Sequence, residues 1–134
     1  MKAATAQPDV MRRCARLKNV LFVCSRNRFR SPTAEAIFAD WPGMETASAG
    51  LSPDAETPLT PDLLEWSDLV FVMEPVHRRR LTRQFAPFLK NLRVICLDIP
   101  DEYEYMDPAL VALLRARVPK HLPASESRAP MGPA

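Results

Sequence analysis

The sequence predicts an α/β fold, a three-layer sandwich in which helices cover both faces of a four-stranded parallel sheet. Short apolar runs alternate along the chain with segments whose apolar residues recur at helical spacing, as in parallel α/β proteins. The first segment, Asn19–Cys24, forms a continuous apolar run after its Asn, which suits a strand covered on both faces. General rules then make the crossovers right-handed and place a binding crevice at the carboxyl ends of the strands.

Turn and capping signals delimit the other elements. Ser31-Pro32 predicts a helix start with Ser31 as the N-cap, and Pro42-Gly43 predicts the end of that helix. The further strands are predicted at Met44–Gly50, Leu69–Met73 and Leu92–Leu97. The further helices are predicted to begin at Thr60-Pro61, at Pro75 and at Asp107-Pro108.

The length of 134 residues predicts one domain, which we assign to residues 18–122. Residues 1–17 are predicted to be a flexible basic arm. Residues 123–134 are rich in Pro, Ser and Ala and are predicted to be a disordered tail. A chain of this size builds a hydrophobic core without disulfides.

Composition argues against several classes of protein. No apolar run approaches the length of about 20 residues that spans a bilayer, and the N-terminal residues lack the apolar stretch of a signal peptide. We therefore expect no membrane partner and a cytoplasmic location. The cysteines Cys14, Cys24 and Cys96 form an odd, sparse set that is typical of reduced thiols. A net charge of only +2 makes nucleic acid an unlikely partner.

The segment Cys24–Ser31 (CSRNRFRS) gives the strongest functional signal. It leaves a buried strand and enters a helix N-terminus, where free backbone N–H groups and the helix dipole favour an anion. A loop of this length can curl around a tetrahedral oxyanion with successive N–H groups pointing inward. The spacing of Cys24 and Arg30 is weak evidence by itself, and a buried cysteine beside a solvated arginine is the alternative interpretation.

Several side chains of this loop have a predicted task. The planar guanidinium of Arg30 can bind two phosphoryl oxygens at once. Ser31 can donate a hydrogen bond to Cys24, and such a setting favours a nucleophilic thiolate. The loop has no glycine, so Asn27, which tolerates the left-handed region, is expected at positive φ and can brace the loop.

An enzyme that uses such a loop to cleave a phosphate ester also needs a general acid, which protonates the leaving oxygen. Asp101 is the candidate, because it lies in a short loop between the fourth strand and the last helix. Glu102 is a competing acid, and Asp107 is expected to cap the helix. Tyr103 is expected to line the pocket and stack on an aromatic leaving group, with packing of the loop as the alternative. For Tyr105, packing is the favoured role.

No metal or other cofactor is predicted. His77 and the run Arg78–Arg80 have no His or Cys partners at the spacing of metal ligands. We interpret this segment as a solvated helix face, with a lesser possibility that it guides acidic substrates.

The stretch Val20–Glu35 (VLFVCSRNRFRSPTAE) resembles the signature of the low-molecular-weight protein tyrosine phosphatase family. The similarity extends over about residues 18–122. The resemblance implies that Cys24 is the nucleophile, Arg30 the phosphate clamp and Asp101 the general acid. It also matches four supporting positions: Ser31 as thiolate donor, Asn27 as loop brace, Tyr103 as pocket wall and Ser48 as a serine after the second strand.

The chain departs from the family's pattern in ways that concern the substrate more than the reaction. Arg26 replaces a glycine, Phe29 replaces a second loop cysteine, and Glu102 replaces a proline beside the acid. The segment between Gly50 and Trp66 is short for the family. A helix that the family carries there, with a histidine that braces the loop, is therefore expected to be missing. Arg26 and Arg28 add positive charge at the mouth of the site.

The sequence thus predicts a metal-independent cysteine phosphatase of the low-molecular-weight protein tyrosine phosphatase type. Its partner would be a phosphorylated protein or a small phosphate ester, and its product inorganic phosphate. The loop residues expected to bind the phosphoryl group are Ser25, Arg26, Asn27, Arg28 and Phe29. Two alternatives stay open: an arsenate reductase of the same fold, for which Cys14 and Cys96 are poorly placed, and a non-catalytic anion- or RNA-binding module.

Overall fold

The computed structural model describes residues 18–90 and 92–122. The predicted arm, residues 1–17, and the predicted tail, residues 123–134, lie outside the described residues. In chain order the main elements are β1 Lys18–Cys24, α1 Arg30–Ile37, β2 Met44–Gly50, α2 Pro61–Trp66, β3 Leu69–Val72, α3 Pro75–Phe85, β4 Arg93–Cys96 and α4 Pro108–Arg117. Short 3₁₀ turns at Ala86–Phe88 and Pro119–His121 follow α3 and α4.

The strands form one parallel sheet in the order β2-β1-β3-β4, which confirms the predicted fold class. Strand β1 pairs with β2 over its whole length, from Lys18 opposite Met44 to Cys24 opposite Gly50. On its other side β1 pairs with β3. The chain therefore leaves β1 toward one edge of the sheet and returns to β3 on the other. In parallel sheets ligands bind at the carboxyl ends of strands where the order reverses in this way.

Helices cover both faces of the sheet. On one face α1 and α4 pack on Val20, Phe22 and Phe71. On the other face α2 and α3 pack on Leu21 and Val23. Successive strand residues point to opposite faces, so a strand that is covered on both must be apolar at every position. All four residues from Val20 to Val23 are indeed fully buried.

Helix α1 differs from the prediction at both ends. It begins at Arg30, with Phe29 at the N-cap position and no side-chain cap, so Ser31 is not the N-cap. Ser31 is instead fully buried, and its hydroxyl belongs to the loop described below. The helix ends at Ile37 rather than at Pro42-Gly43. The chain has to leave the helix early because β2 must start beside Lys18, whose N–H donates to the carbonyl of Gly43.

The other three helices begin where the sequence predicts, and the strand boundaries agree with the prediction to within one residue. Thr60 caps α2 by accepting from the Leu63 N–H at 3.3 Å. Asp107 caps α4 by accepting from the Ala109 N–H at 2.9 Å. Across residues 18–90 and 92–122, the model contains no helix of the length and apolarity that a bilayer crossing requires.

Candidate active site

Cys24 is the last residue of β1 and is 3% exposed. Its Sγ lies 3.0 Å from the Ser31 Oγ and accepts a hydrogen bond from the Asn27 N–H at 3.2 Å. The Asn27 Nδ2 donates to the Ser31 Oγ at 3.0 Å, so the proton of the Ser31 hydroxyl is free to point at the sulfur. The Asn27 N–H and the Ser31 hydroxyl are therefore both placed to donate hydrogen bonds to the Cys24 sulfur.

Asn27 has a φ of 57°, which confirms the prediction that it would adopt the left-handed conformation in a loop without glycine. The left-handed conformation costs Asn less free energy than most other residues, because its short side chain can form a local hydrogen bond. Here that bond goes to Ser31, and the side chain is 4% exposed. The structure thus places Asn27 and Ser31 beneath the loop, on the side away from solvent.

The carbonyl groups of the loop are bonded to the segment that follows β2. The N–H groups of Leu51, Ser52 and Glu56 donate to the carbonyls of Cys24, Ser25 and Arg26 at 3.0, 2.8 and 3.0 Å. In the part of the chain that the structure describes, the N–H groups of Ser25, Arg26, Arg28 and Phe29 have no protein acceptor. Free N–H groups on successive residues are what an oxyanion cradle requires.

The sequence predicts that the family's helix is missing between Gly50 and Trp66; within this range the structure has no helix at residues 51–60 and has α2 at Pro61–Trp66. The backbone bonds just described brace the loop in its place. They require a close approach at Gly50, where an added Cβ would lie 2.5 Å from the Ala55 Cβ and 2.6 Å from the Ser25 carbonyl oxygen. Glycine is therefore needed at this position for space.

Gly50→Ala is expected to lower the free energy of unfolding by about 1–3 kcal/mol, since an extra methyl in a packed site forces the backbone to shift. Because one of the atoms displaced is the Ser25 carbonyl, the loop should be distorted and catalysis lowered as well. Urea denaturation measures the first effect. Ala47→Gly, in the middle of the same strand, is a control for strand substitution. Unchanged stability and activity in Gly50→Ala would contradict the close approach.

Arg30 is held by residues that follow two other strands. It is 4% exposed, its Nη1 donates to the Ile99 carbonyl at 2.7 Å, and the same atom lies 3.2 Å from the Glu74 Oε1. The interpretation of Arg30 as a solvated charge is therefore wrong. Glu74 compensates the buried guanidinium, which would otherwise be costly. The carboxylate and carbonyl fix one edge of the guanidinium, so that its position beside the loop is set before a ligand binds.

Asp101 lies at the mouth of the site, with its side chain 69% exposed and its Oδ1 3.8 Å from the Arg30 Nε. Together with the loop it encloses a cavity of about 260 Å³. The lining residues are Cys24, Ser25, Arg26, Arg28, Phe29, Arg30 and Asp101. Glu102 is exposed and does not line this cavity. The structure thus brings together the predicted nucleophile, arginine and acid.

Tyr103 is placed differently from the prediction. It is half-buried against the core between α1, α4 and the sheet and does not line the cavity, so the packing alternative applies. Burial of a large ring in the core stabilises more than exposure at the mouth would. Tyr105, for which packing was favoured, is 53% exposed. Ser48, the matched serine of β2, donates to the Glu35 carboxylate at 2.6 Å.

His77 is the functional candidate that the sequence interpretation missed. It was assigned to a solvated face but is 1% exposed. Its Nδ1 accepts from the Glu74 N–H at 3.0 Å, so in the neutral ring the Nε2 carries the proton, 3.3 Å from the Ser25 Oγ. Glu74 and His77 form a capping box at the start of α3, and Pro75 is the first residue of the helix. The sequence Glu-Pro-Val-His differs from the usual capping-box pattern, so it did not indicate that the imidazole would be buried.

Burial, and next the Arg30 guanidinium, lower the pKa of His77 from 6.5 to about 4. Between these two values the unfolded chain binds more protons than the folded one, so the free energy of unfolding falls as the pH falls. The contribution of the neutral His77 ring to the free energy of unfolding is complete above about pH 6.5 and is lost as the pH falls toward 4. We expect the decrease between pH 7.5 and pH 5 to be smaller in His77→Asn than in wild type by roughly 2 kcal/mol.

Urea denaturation at the two pH values measures this difference. His121→Asn is the comparison, because burial also lowers the pKa of His121 but that histidine is more exposed, so its replacement should change the pH dependence less. Equal pH dependence in wild type and His77→Asn would contradict a buried neutral ring.

The parallel sheet, with the Cys24-to-Arg30 loop at the carboxyl end of β1, defines an α/β protein. No protein-family model matches this chain, and no curated protein matches its sequence. Solved structures with the same fold include a low-molecular-weight protein tyrosine phosphatase from T. tengcongensis (24% identity, TM-score 0.58, 74% of this chain and 91% of that one). The predicted resemblance to that family is thus confirmed at the level of the fold.

Two further solved structures are similar to this chain. One is the YwlE arginine phosphatase from Geobacillus stearothermophilus (21% identity, TM-score 0.59, 74% of this chain and 84% of that one). The other is a thioredoxin-dependent arsenate reductase from Corynebacterium glutamicum (20% identity, TM-score 0.58, 83% of this chain and 63% of that one). The same fold therefore serves more than one reaction of tetrahedral oxyanions.

Proposed function

We propose that the protein is a cysteine-dependent phosphatase that hydrolyses a phosphate monoester, in the first place phosphotyrosine in a protein. The observation that supports this most is the common cavity of Cys24, Arg30 and Asp101. A thiolate nucleophile, a cation for the phosphoryl oxygens and an acid for the leaving group are the parts that such a reaction needs. No group of three or more potential metal-ligating side chains occurs in residues 18–90 and 92–122.

In the proposed mechanism the Cys24 thiolate attacks phosphorus in line with the leaving oxygen. The free N–H groups of the loop and the Arg30 guanidinium stabilise the charge on the equatorial oxygens. Asp101 donates its proton to the leaving oxygen as the P–O bond breaks. A cysteinyl-phosphate results, and the Asp101 carboxylate then takes a proton from the water that hydrolyses it to inorganic phosphate and thiolate.

The choice of phosphotyrosine rests on the resemblance to the tyrosine phosphatases and on Phe29, an aromatic residue that lines the cavity. A phosphorylated arginine is a related substrate that the similarity to YwlE brings into consideration. Hydrolysis of an aryl phosphate by the wild-type protein tests the proposal directly. Absence of hydrolysis would contradict the proposal. A higher kcat/KM on phosphoarginine than on phosphotyrosine would show that phosphoarginine is the preferred substrate.

Arsenate reduction is the second candidate, since one similar structure is named as such an enzyme. A reductase on this fold would need a second thiol close to the nucleophile. Cys96 packs on the face of the sheet that α2 and α3 cover, whereas Cys24 belongs to the core on the opposite face. Cys14 lies outside the described residues. The placement of Cys96 thus favours the phosphatase.

A further inference from the structure

Two arginine residues at the mouth of the cavity have side chains without a part in the proposed chemistry. Arg26 and Arg28 both line the cavity, and their side chains are 56% and 52% exposed. We call this pair the arginine rim. It differs from Arg30, which is buried and held in place by Glu74.

The partners of the arginine rim are weak. Arg26 lies 3.8 Å from the Asp54 carboxylate and Arg28 lies 3.7 Å from the Glu56 carboxylate. Both carboxylates are more than 60% exposed, and ion pairs of this kind contribute about 0–1 kcal/mol. A guanidinium has five N–H donors in a planar fork that fits a carboxylate. A carboxylate of a bound ligand can therefore compete for the rim.

The loop that carries Asp101 has the opposite charge. Asp101, Glu102 and Glu104 are all exposed there. Among the residues that line the mouth, Arg26 and Arg28 thus form a basic part and Asp101 forms an acidic part, while Glu102 and Glu104 add negative charge outside the cavity. A substrate with carboxylates beside its phosphoryl group would be attracted by the first part and repelled by the second, which fixes its orientation.

Aromatic contacts give little further selectivity at this site. Tyr103 packs in the core, and Phe29, at 39% exposure, is the only aromatic residue among the described residues that line the cavity. One ring can contact the phosphorylated side chain. It cannot distinguish two phosphorylated residues of the same type that have different neighbours in the polypeptide. Discrimination between protein substrates then depends on what the rim contacts.

We propose that the arginine rim selects phosphorylated side chains that are flanked by acidic residues in a polypeptide. Arg30 binds the phosphoryl group, and Arg26 and Arg28 bind the flanking carboxylates. The proposal rests on the phosphatase function and names the class of substrate for it. Because the rim is exposed, its attraction should be screened by salt, for which the Debye length is about 10 Å at 0.1 M.

The test uses two fluorescent phosphotyrosine peptides of equal length, one with Glu and one with Gln at the flanking positions. Their dissociation constants are measured on the Cys24→Ser protein, alone and with Arg26→Gln and Arg28→Gln added together. We expect the Glu peptide to bind about tenfold tighter at low salt, as double-charge contacts of this kind allow. The ratio should fall to about one in the rim variant and at 0.5 M NaCl.

Arg115→Gln is the matched control, since Arg115 is exposed on α4 and its replacement removes one positive charge far along the chain from the loop. The ratio of the two dissociation constants should be unchanged in this variant. A ratio within twofold of one in the parent protein would overturn the proposal. The proposal would also be overturned if the rim variant still bound the Glu peptide more tightly than the Gln peptide. The same holds if Arg115→Gln abolished that difference.

Failure of this proposal is separable from failure of the phosphatase function. The peptide ratios are measured by binding and do not need turnover. The ratio of kcat/KM for the same peptides on the protein with Cys24 intact should follow the binding ratio, while an aryl phosphate without flanking residues reports the chemistry alone.

Discussion

Replacing Cys24 by Ser is expected to lower kcat for an aryl phosphate by about 10⁴-fold or more, as removal of an enzyme's nucleophile does. The serine hydroxyl fits the same space but remains un-ionised at neutral pH, and the two donors around the sulfur have no anion to stabilise. The cradle and Arg30 are untouched by the change. Affinity for inorganic phosphate should therefore be retained.

Steady-state hydrolysis and calorimetric titration with phosphate measure the two effects. Cys96→Ser is the matched control, because Cys96 is half-buried in β4 on the other face of the sheet. It should keep its activity. A Cys24→Ser protein as active as wild type would exclude Cys24 as the nucleophile.

Asp101→Asn is expected to lower turnover of a poor leaving group by about 100-fold or more, the usual contribution of a general acid. An amide has nearly the same shape as the carboxylic acid but cannot transfer a proton to the leaving oxygen. A leaving group that departs as a stable anion needs no proton. The loss should therefore be much smaller for a nitrophenyl ester than for an alkyl or unsubstituted phenyl ester.

The comparison of two leaving groups, each with wild type, Asp101→Asn and Glu102→Gln, decides which carboxylate is the acid. Glu102 is exposed and lies outside the cavity, so Glu102→Gln should retain turnover on both substrates. A loss confined to Glu102→Gln would move the role to that residue. An equal loss on both substrates in Asp101→Asn would indicate a binding role rather than proton transfer.

The low pKa of His77 has a consequence for Arg30. Glu74 Oε1 lies 3.2 Å from the Arg30 Nη1 and 3.7 Å from the His77 Nε2, so one carboxylate faces both groups. A protonated imidazole would place a second cation beside the buried guanidinium. Because the pKa of His77 is about 4, the ring is neutral at physiological pH, and the Glu74 carboxylate does not face a second cation beside Arg30.

The local parts of this protein could be predicted from the sequence. The continuous apolar run of β1, the capping residues Thr60 and Asp107 and the left-handed Asn27 each depend on a few neighbouring residues. The Cys24-to-Arg30 loop and its position between a strand and a helix are local in the same sense. Local patterns therefore determined the fold class and identified the loop.

Only the tertiary structure decided how that loop is held and what surrounds it. Glu74 and His77 reach the loop from the start of α3, and the backbone of residues 51–56 reaches it from beyond β2. Tyr103 turned to the core because a large ring gains more from burial there than at the mouth. These contacts join residues far apart in the chain, and their geometry follows from the packing of whole elements, which no local pattern records.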